Sequence, residues 1–292
     1  MIKKLKRLLI LVIFVLLFIL YFINSNYIIE NIINYTILFL TKLAPASFLF
    51  FTFSSLFLEL HLLDYLSKLF KINTNTYLLL LSSLSGFPSG AKYTKELYNL
   101  NYFEQKEANN ALLYTHFPNP LFIFSSISTL LNNSSLPLKL YLSIILSNLL
   151  LFITFKGKNK KEERIIINNK SFSSILTSNL NNTFHILLII YGTSLFFYLI
   201  PTIITKYISF NSNIYIIMNG LFDLTKGIFS TSIISNNILR SYYILLFLSF
   251  GSISIHMQTS TILEDTNLSY LSFLKGRILG TIISIIIFTI LI

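Results

Sequence analysis

From residue 8 to residue 29 the chain runs for 22 positions without an Asp, Glu, Lys or Arg, and runs of the same kind recur at 108–138 and 241–263. About 20 consecutive apolar residues suffice to cross the hydrocarbon core of a bilayer. A soluble domain needs a charged surface, about a quarter of its residues, whereas only 11% are charged here, 54% are hydrophobic and Phe alone occurs 28 times. The sequence therefore reads as an all-α, polytopic transmembrane helical protein. Cytosolic enzymes, nucleic-acid binders and secreted disulfide domains are excluded. With no Cys in the chain, disulfides and thiolate metal sites are excluded too.

The net charge is +11. The basic residues cluster at the ends of apolar stretches, as in cytoplasmic loops of membrane proteins, so the partner they imply is membrane lipid and not nucleic acid. Lys3, Lys4, Lys6 and Arg7 precede the first apolar run, and no small-residue cleavage site follows it. Residues 1–30 are expected to be a membrane anchor with a cytoplasmic N-terminus. Further apolar stretches lie near 34–59, 109–131, 138–155, 183–206, 213–235, 243–262 and 277–292, several interrupted by Gly, Pro or Asn. The loop 156–170 carries Lys156, Lys158, Lys160, Lys161, Arg164 and Lys170 against Glu162 and Glu163. It should also face the cytoplasm, with the anchor and three spans separating the two basic segments.

That loop divides two similar halves, 31–155 and 171–292. Thr36 and Thr183, and likewise Ser47 and Ser194, are each 147 residues apart. A Ser/Gly-rich element follows in each half, around Gly86 and around Gly251; pairing these two gives the second half about 18 extra residues near 208–242. Halves that each cross an odd number of times lie in opposite orientations, the plan of many secondary transporters. The C-terminus is then expected on the side opposite the loop.

The strongest local signal is Ser85-Gly86-Phe87-Pro88-Ser89-Gly90-Ala91-Lys92, after an apolar stretch 77–84 too short to span. Backbone broken at membrane depth must be shielded by protein or line a wet cavity, so a re-entrant hairpin is expected, with an ordinary surface turn as the competing reading. The polar stretch 92–110 that follows reads as a solvated interfacial helix. Thr115, His116, Pro118, Asn119 and Pro120 then interrupt an uncharged run, as in a discontinuous helix. For His116 a packing role outweighs ligand contact. In the second half Gly251, Ser252, Ser254, His256, Gln258 and Thr259 fall in another uncharged run. Ser and Thr there serve to tie helices together unless they surround a site. Asp223 and Lys226, three apart, are expected either to neutralise one another or to sit at the interface. Enzyme signatures are missing: Ser89-Gly-Ala-Lys92 matches Ser-x-x-Lys without its companion motifs. The four histidines have no matched carboxylate cluster. Hence no enzyme, no cofactor and no metal site is expected.

Ser85-Gly86-Phe87-Pro88-Ser89-Gly90-Ala91-Lys92, Glu107-Ala-Asn109 and Asn119-Pro120-Leu-Phe-Ile123 resemble the YlbJ-type sporulation integral membrane proteins. So do Gly220-Leu-Phe-Asp223-Leu-Thr-Lys226-Gly227 and Phe250-Gly251-Ser-Ile-Ser-Ile-His256-Met-Gln258. The chain departs from that pattern at Asn110 (usually Arg), Asp223 (usually Glu) and Ser252 (usually Gly). The family belongs to the nucleoside-recognition, or Gate, group. The resemblance implies a transporter-like inverted-repeat fold in a spore-forming bacterium and a role in spore formation, at cortex assembly; it does not make a nucleoside the substrate. Two functions follow as expectations: movement or binding of a small polar solute, or a membrane scaffold that organises partner proteins or copies of itself. The residues expected to meet the solute are Gly86, Ser89, Gly90, Lys92, Asn119, Asp223, Gly251, Ser254, His256 and Gln258, with the elements 86–92 and 251–258 meeting near the bilayer centre.

Overall fold

The computed structural model describes residues 2–60, 73–132, 135–157 and 171–292, with Tyr65 and Leu69. All but the first two residues of the basic loop 156–170 lie outside the described residues. Among the described residues every regular element is a helix. The chain opens with α1 (Ile2–Ile23), α2 (Ser25–Leu38), a π turn (Phe39–Leu43) and α3 (Ala44–Glu59). Next come α4 (Thr74–Ser85), α5 (Ser89–Asn99), α6 (Gln105–Ala111), α7 (Pro120–Leu131, with a π turn over Ile123–Ile127) and α8 (Leu136–Phe155). The rest is α9 (Phe172–Tyr207), α10 (Ser212–Phe222), α11 (Leu224–Ser230), α12 (Asn237–Phe250), α13 (Ile253–Leu263) and α14 (Tyr270–Leu291).

The starts of these helices are written locally. A helix leaves its first amide donors without partners, and a preceding Ser or Asn supplies an acceptor. Asn73 accepts from the Thr76 amide at 2.8 Å, Asn211 from Ile214 at 2.9 Å and Asn236 from Ile238 at 2.9 Å. Glu104 and Glu107 form a capping box at the head of α6.

Among the described residues four helices are long and apolar enough to cross a membrane: α8, α9, the pair α12–α13 (Asn237–Leu263) and α14. A fifth is reached if α1 and α2, bent by 95° at Asn24, count as one span. The bend is pinned: Asn24 Nδ2 donates to Leu20 O and to Tyr207 Oη, both at 2.7 Å, and Lys206 Nζ donates to Asn24 Oδ1. Leu, Ile and Phe cover the outer faces of α1, α8, α9 and α14. Ser143, Ser147, Asn148 and Ser284 are buried where α8 meets α14. Apolar outside and polar inside is the distribution of a helical membrane protein, in which small and polar residues join the helices.

Two pairs of helices fix directions. Tyr35 meets Tyr198 (4.8 Å between ring centroids), Phe39 meets Tyr191 (5.1 Å) and Phe48 meets Phe184 (5.5 Å). Numbers rise in one partner as they fall in the other, so α2–α3 and α9 run antiparallel. The same holds for α8 and α14: Ser147 Oγ donates to Gly280 O at 2.8 Å, and Lys275 Nζ lies 5.7 Å from the Phe155 ring.

The end of the molecule bearing Phe155 gathers the start of α4, through Asn75 to Gly157 O (3.4 Å). It also gathers the head of α6, through Gln105 to Asn267 O (2.6 Å). From α5, Lys95 donates there to Asp265. That hydrogen bond from Lys95 holds the exposed Asp265 carboxyl below its ordinary pKa. The opposite end gathers α12, through Asn237 to Leu131 O (2.7 Å) and Tyr242 to Thr289 (2.9 Å), and α10, through Tyr243 to Asn213 (3.2 Å). Each of α4–α5 and α10–α11 is thus a hairpin with both outer ends at one end of the molecule, and the two hairpins enter from opposite ends.

Candidate functional site

Gly86 ends α4 with φ +80° and ψ 170°, and Gly251 ends α12 with φ +88° and ψ 171°. Positive φ is the region that glycine alone enters without strain, and these two glycines turn the chain in the same way. At the first hairpin tip the peptide Phe87–Pro88 is cis, and Ser89 donates its hydroxyl to Gly86 O. The tip lies on the extended segment 115–119 between α6 and α7. A Cβ built on Gly86 would sit 2.7 Å from Asn119 N, and one on Gly90 would sit 1.7 Å from Thr115 O. Both glycines are therefore required for backbone to meet backbone. Asn119 caps α7 by accepting from Leu121 N at 2.9 Å, while its Nδ2, buried, has no partner.

The second hairpin closes on itself at Gly220 and Gly227, where a Cβ on Gly227 would lie 2.2 Å from Gly220 Cα, with the Phe247 ring beside both. Asp223 at its tip is 1% exposed. One carboxylate oxygen accepts from Lys226 N at 2.9 Å, capping α11, and the other accepts from Ser254 Oγ at 3.3 Å, across to the break between α12 and α13. One turn along α13, Gln258 Nε2 donates to Ser194 Oγ of α9 at 2.9 Å.

The two breaks touch through aromatic rings. Phe87 stacks on His116 at 4.7 Å; His116 and His256 both stand edge-on to Phe273, at 5.5 and 5.3 Å. A Cβ on Gly251 would lie 3.8 Å from His116 Cε1. α13 also packs along α5. His256 is within hydrogen-bond distance of Tyr270 Oη (2.8 Å) and Phe250 O (3.2 Å). Of the residues expected from the sequence, the structure gathers Gly86, Ser89, Gly90 and Asn119 at the first tip. It gathers Asp223, Gly251, Ser254 and Gln258 at the second, with His256 between.

Lys92 falls outside both groups. It is 5% exposed and donates to Ser55 of α3, 5.9 Å from the Phe51 ring, with Glu96 at 3.7 Å. Two expectations are corrected. Asp223 and Lys226 form no ion pair: Asp223 begins the helix and its carboxylate turns back onto the amides, while Lys226 Nζ donates to Thr202 and, at 3.2 Å, to Tyr198 O. The stretch 92–110 is solvated only in its outer part: Lys92, Tyr93, Thr94 and Leu97 of α5 are buried inside the bundle, while Asn99, Asn101, Glu104, Gln105 and Lys106 are exposed.

Sequence reasoning passed over Arg277, 1% exposed. Its guanidinium donates to Ser249 O (3.2 Å) at the end of α12, to Leu113 O (3.0 Å) just past α6 and to Asn148 Oδ1 (3.5 Å). One cation thereby serves the carbonyl ends of both broken helices, where the helix dipole is negative. Asn219, which heads the polar break 219–227 but was not expected to meet the solute, is fully buried with both ends of its amide unpartnered. Among the described residues no group of three or more His, Asp or Glu could hold a metal ion. An open cavity of about 690 Å³ lies apart from the breaks, lined by Lys42, Ser125, Ser126, Thr129, Ser232 and Arg240 among others. None of the residues expected from the sequence borders it.

A stretch of 96 residues is 32% identical to the sporulation integral membrane protein YlbJ of Bacillus subtilis (strain 168). The matched stretch covers 32% of this chain and 24% of that protein, so the chain spans about a quarter of the relative it matches. The relative's name describes a membrane protein of sporulation and no reaction. No protein-family model matches the chain, and no solved structure does.

Proposed function

We propose that this chain is a sporulation membrane protein of the Gate group, built from two inverted halves, that binds or moves a small polar solute during spore formation. One observation carries the reading. Lys92 of the first hairpin reaches Ser55 and the Phe51 ring; Lys226 of the second reaches Thr202 and the Tyr198 ring, at 4.4 Å. Phe51 and Tyr198, and Ser55 and Thr202, are each 147 apart, the spacing of Thr36 with Thr183 and of Ser47 with Ser194. Each hairpin is thus held by a lysine to the same two positions of a long helix, and those helices, α2–α3 and α9, run antiparallel.

On this pairing α4–α5 answers α10–α11, α6–α7 answers α12–α13, and α8 answers its antiparallel partner α14. Asn119 then stands opposite Gly251, and the break at Gly86 opposite the one at Asp223, in place of the pairing of Gly86 with Gly251 that composition suggests. The positive residues of 156–170 put the end bearing Phe155 in the cytoplasm. Broken backbone at the centre of both halves, with unpartnered amides on Asn119 and Asn219, is what a solute site requires and what simple packing does not.

The scaffold reading has one observation in its favour. Phe87, Phe250 and Phe273 pack with the two histidines between the breaks, so a solute passes only if a hairpin moves. Two variants separate the readings in a spore-forming host lacking its own copy. Asn119→Ser keeps the cap acceptor and removes Nδ2; Gln258→Leu removes the amide. Solute recognition requires that both lose heat-resistant spores at an undiminished amount of membrane-inserted protein. Normal sporulation in both would leave the scaffold.

A further inference from the structure

We propose that Asp223 is a membrane-embedded proton-binding carboxyl whose charge state sets the contact between the α10–α11 hairpin and the break at Gly251. The inference rests on the hairpin-and-break site described above, but not on what that site carries. Asp223 is 1% exposed, and among the described residues no Lys, Arg or His forms an ion pair with it. The nearest candidate on its own hairpin, Lys226, spends its ammonium on Thr202 and the Tyr198 carbonyl. An ionised carboxylate buried without an ion-pair partner is costly, and an ionisable side chain inside a membrane marks a functional position by default.

The surroundings suit both forms of the group. Ionised, it accepts the two hydrogen bonds present, from the Lys226 amide and the Ser254 hydroxyl. Protonated, it becomes a donor, and an unused acceptor lies four residues earlier in the last turn of α10: Asn219, whose buried Oδ1 has no partner. Taking up a proton and donating it to Asn219 would weaken the link to Ser254, among the described residues the one side-chain hydrogen bond joining this tip to the break. The other groups around it that could titrate or carry charge are few. Lys226 on its own hairpin, Tyr35 on α2 and Tyr198 on α9 are each close enough to feel its charge. α12 contributes the Phe247 ring, and α13 the neutral Ser254 and Gln258.

The probe is the proton itself. The full chain in phospholipid vesicles is acidified from mildly alkaline pH, and infrared difference spectra are recorded for wild type, Asp223→Asn and Asp223→Glu. Asparagine retains the cap acceptor in its single oxygen, places an amide donor where the other oxygen met Ser254, and cannot protonate. A carbonyl band of a desolvated carboxylic acid should grow in wild type, be lost in Asp223→Asn, and return at a shifted frequency or midpoint in Asp223→Glu. Should Asp223→Asn not fold, the shift between wild type and Asp223→Glu decides alone. Identical carboxyl bands in every folded variant would overturn the assignment. Sporulation of Asp223→Asn tests the solute reading separately, since the infrared result holds whatever the protein carries.

Discussion

Alanine at Gly90 should lower the stability of the protein by about 3 kcal/mol or more, the upper range for forcing a methyl into a packed site. The added Cβ would meet the Thr115 carbonyl oxygen at 1.7 Å, and neither partner is a flexible side chain that can swing away. Relief requires the first hairpin to back off from segment 115–119, which would also separate Phe87 from His116. Gly192 in α9 is the matching control. Nothing lies within 4 Å of a Cβ there, so Gly192→Ala should be neutral or gain up to about 1 kcal/mol from helix propensity. Thermal unfolding of both variants in detergent checks the pair. Equal midpoints would mean that the hairpin does not sit on segment 115–119.

The second large effect is expected at Arg277. Arg277→Gln removes the charge and shortens the reach, leaving Leu113 O, Ser249 O and Asn148 Oδ1 short of a donor in a buried site. Buried groups stranded in this way cost about 1–3 kcal/mol each, so a loss on the order of 3–5 kcal/mol is expected. Arg277→Lys should recover part of it, because a lysine restores charge but cannot fork between two helix ends. The same unfolding measurement reads this out. A glutamine variant as stable as wild type would remove Arg277 as the tie between the two broken helices.

How much of this could be read from residues alone depended on the kind of signal. The breaks were legible because Gly86, Pro88, Pro118 and Gly251 act on the backbone wherever they sit. The all-helical membrane class was legible because too few charged residues exist to cover a soluble fold. Partners of charged side chains were not. Spacing of three suggested that Asp223 and Lys226 face each other, but that rule holds inside a helix, and Asp223 stands before the first turn. The polar stretch after Pro88 looked solvated because Lys95, Glu104 and Lys106 mark its outer part. Its inner turns are buried, and Lys92 there meets a serine on a distant helix. Arg277 looked like the flank of an apolar run; only the packing of α14 on α8 shows it turned inward. The doubled lysine contact needed the structure, since Lys92 and Lys226 are 134 apart while their acceptors are 147 apart.

Opposite entry of the two hairpins is the claim on which the inverted halves stand, and it can be measured directly. The chain has no native cysteine, so single cysteines at Asn73, at the outer end of α4, and at Asn211, at the outer end of α10, give unambiguous labelling. In sealed vesicles of one orientation, an impermeant thiol reagent added outside should label one of the two, and the other only after the membrane is opened. Labelling of both from the same side would contradict the inverted arrangement.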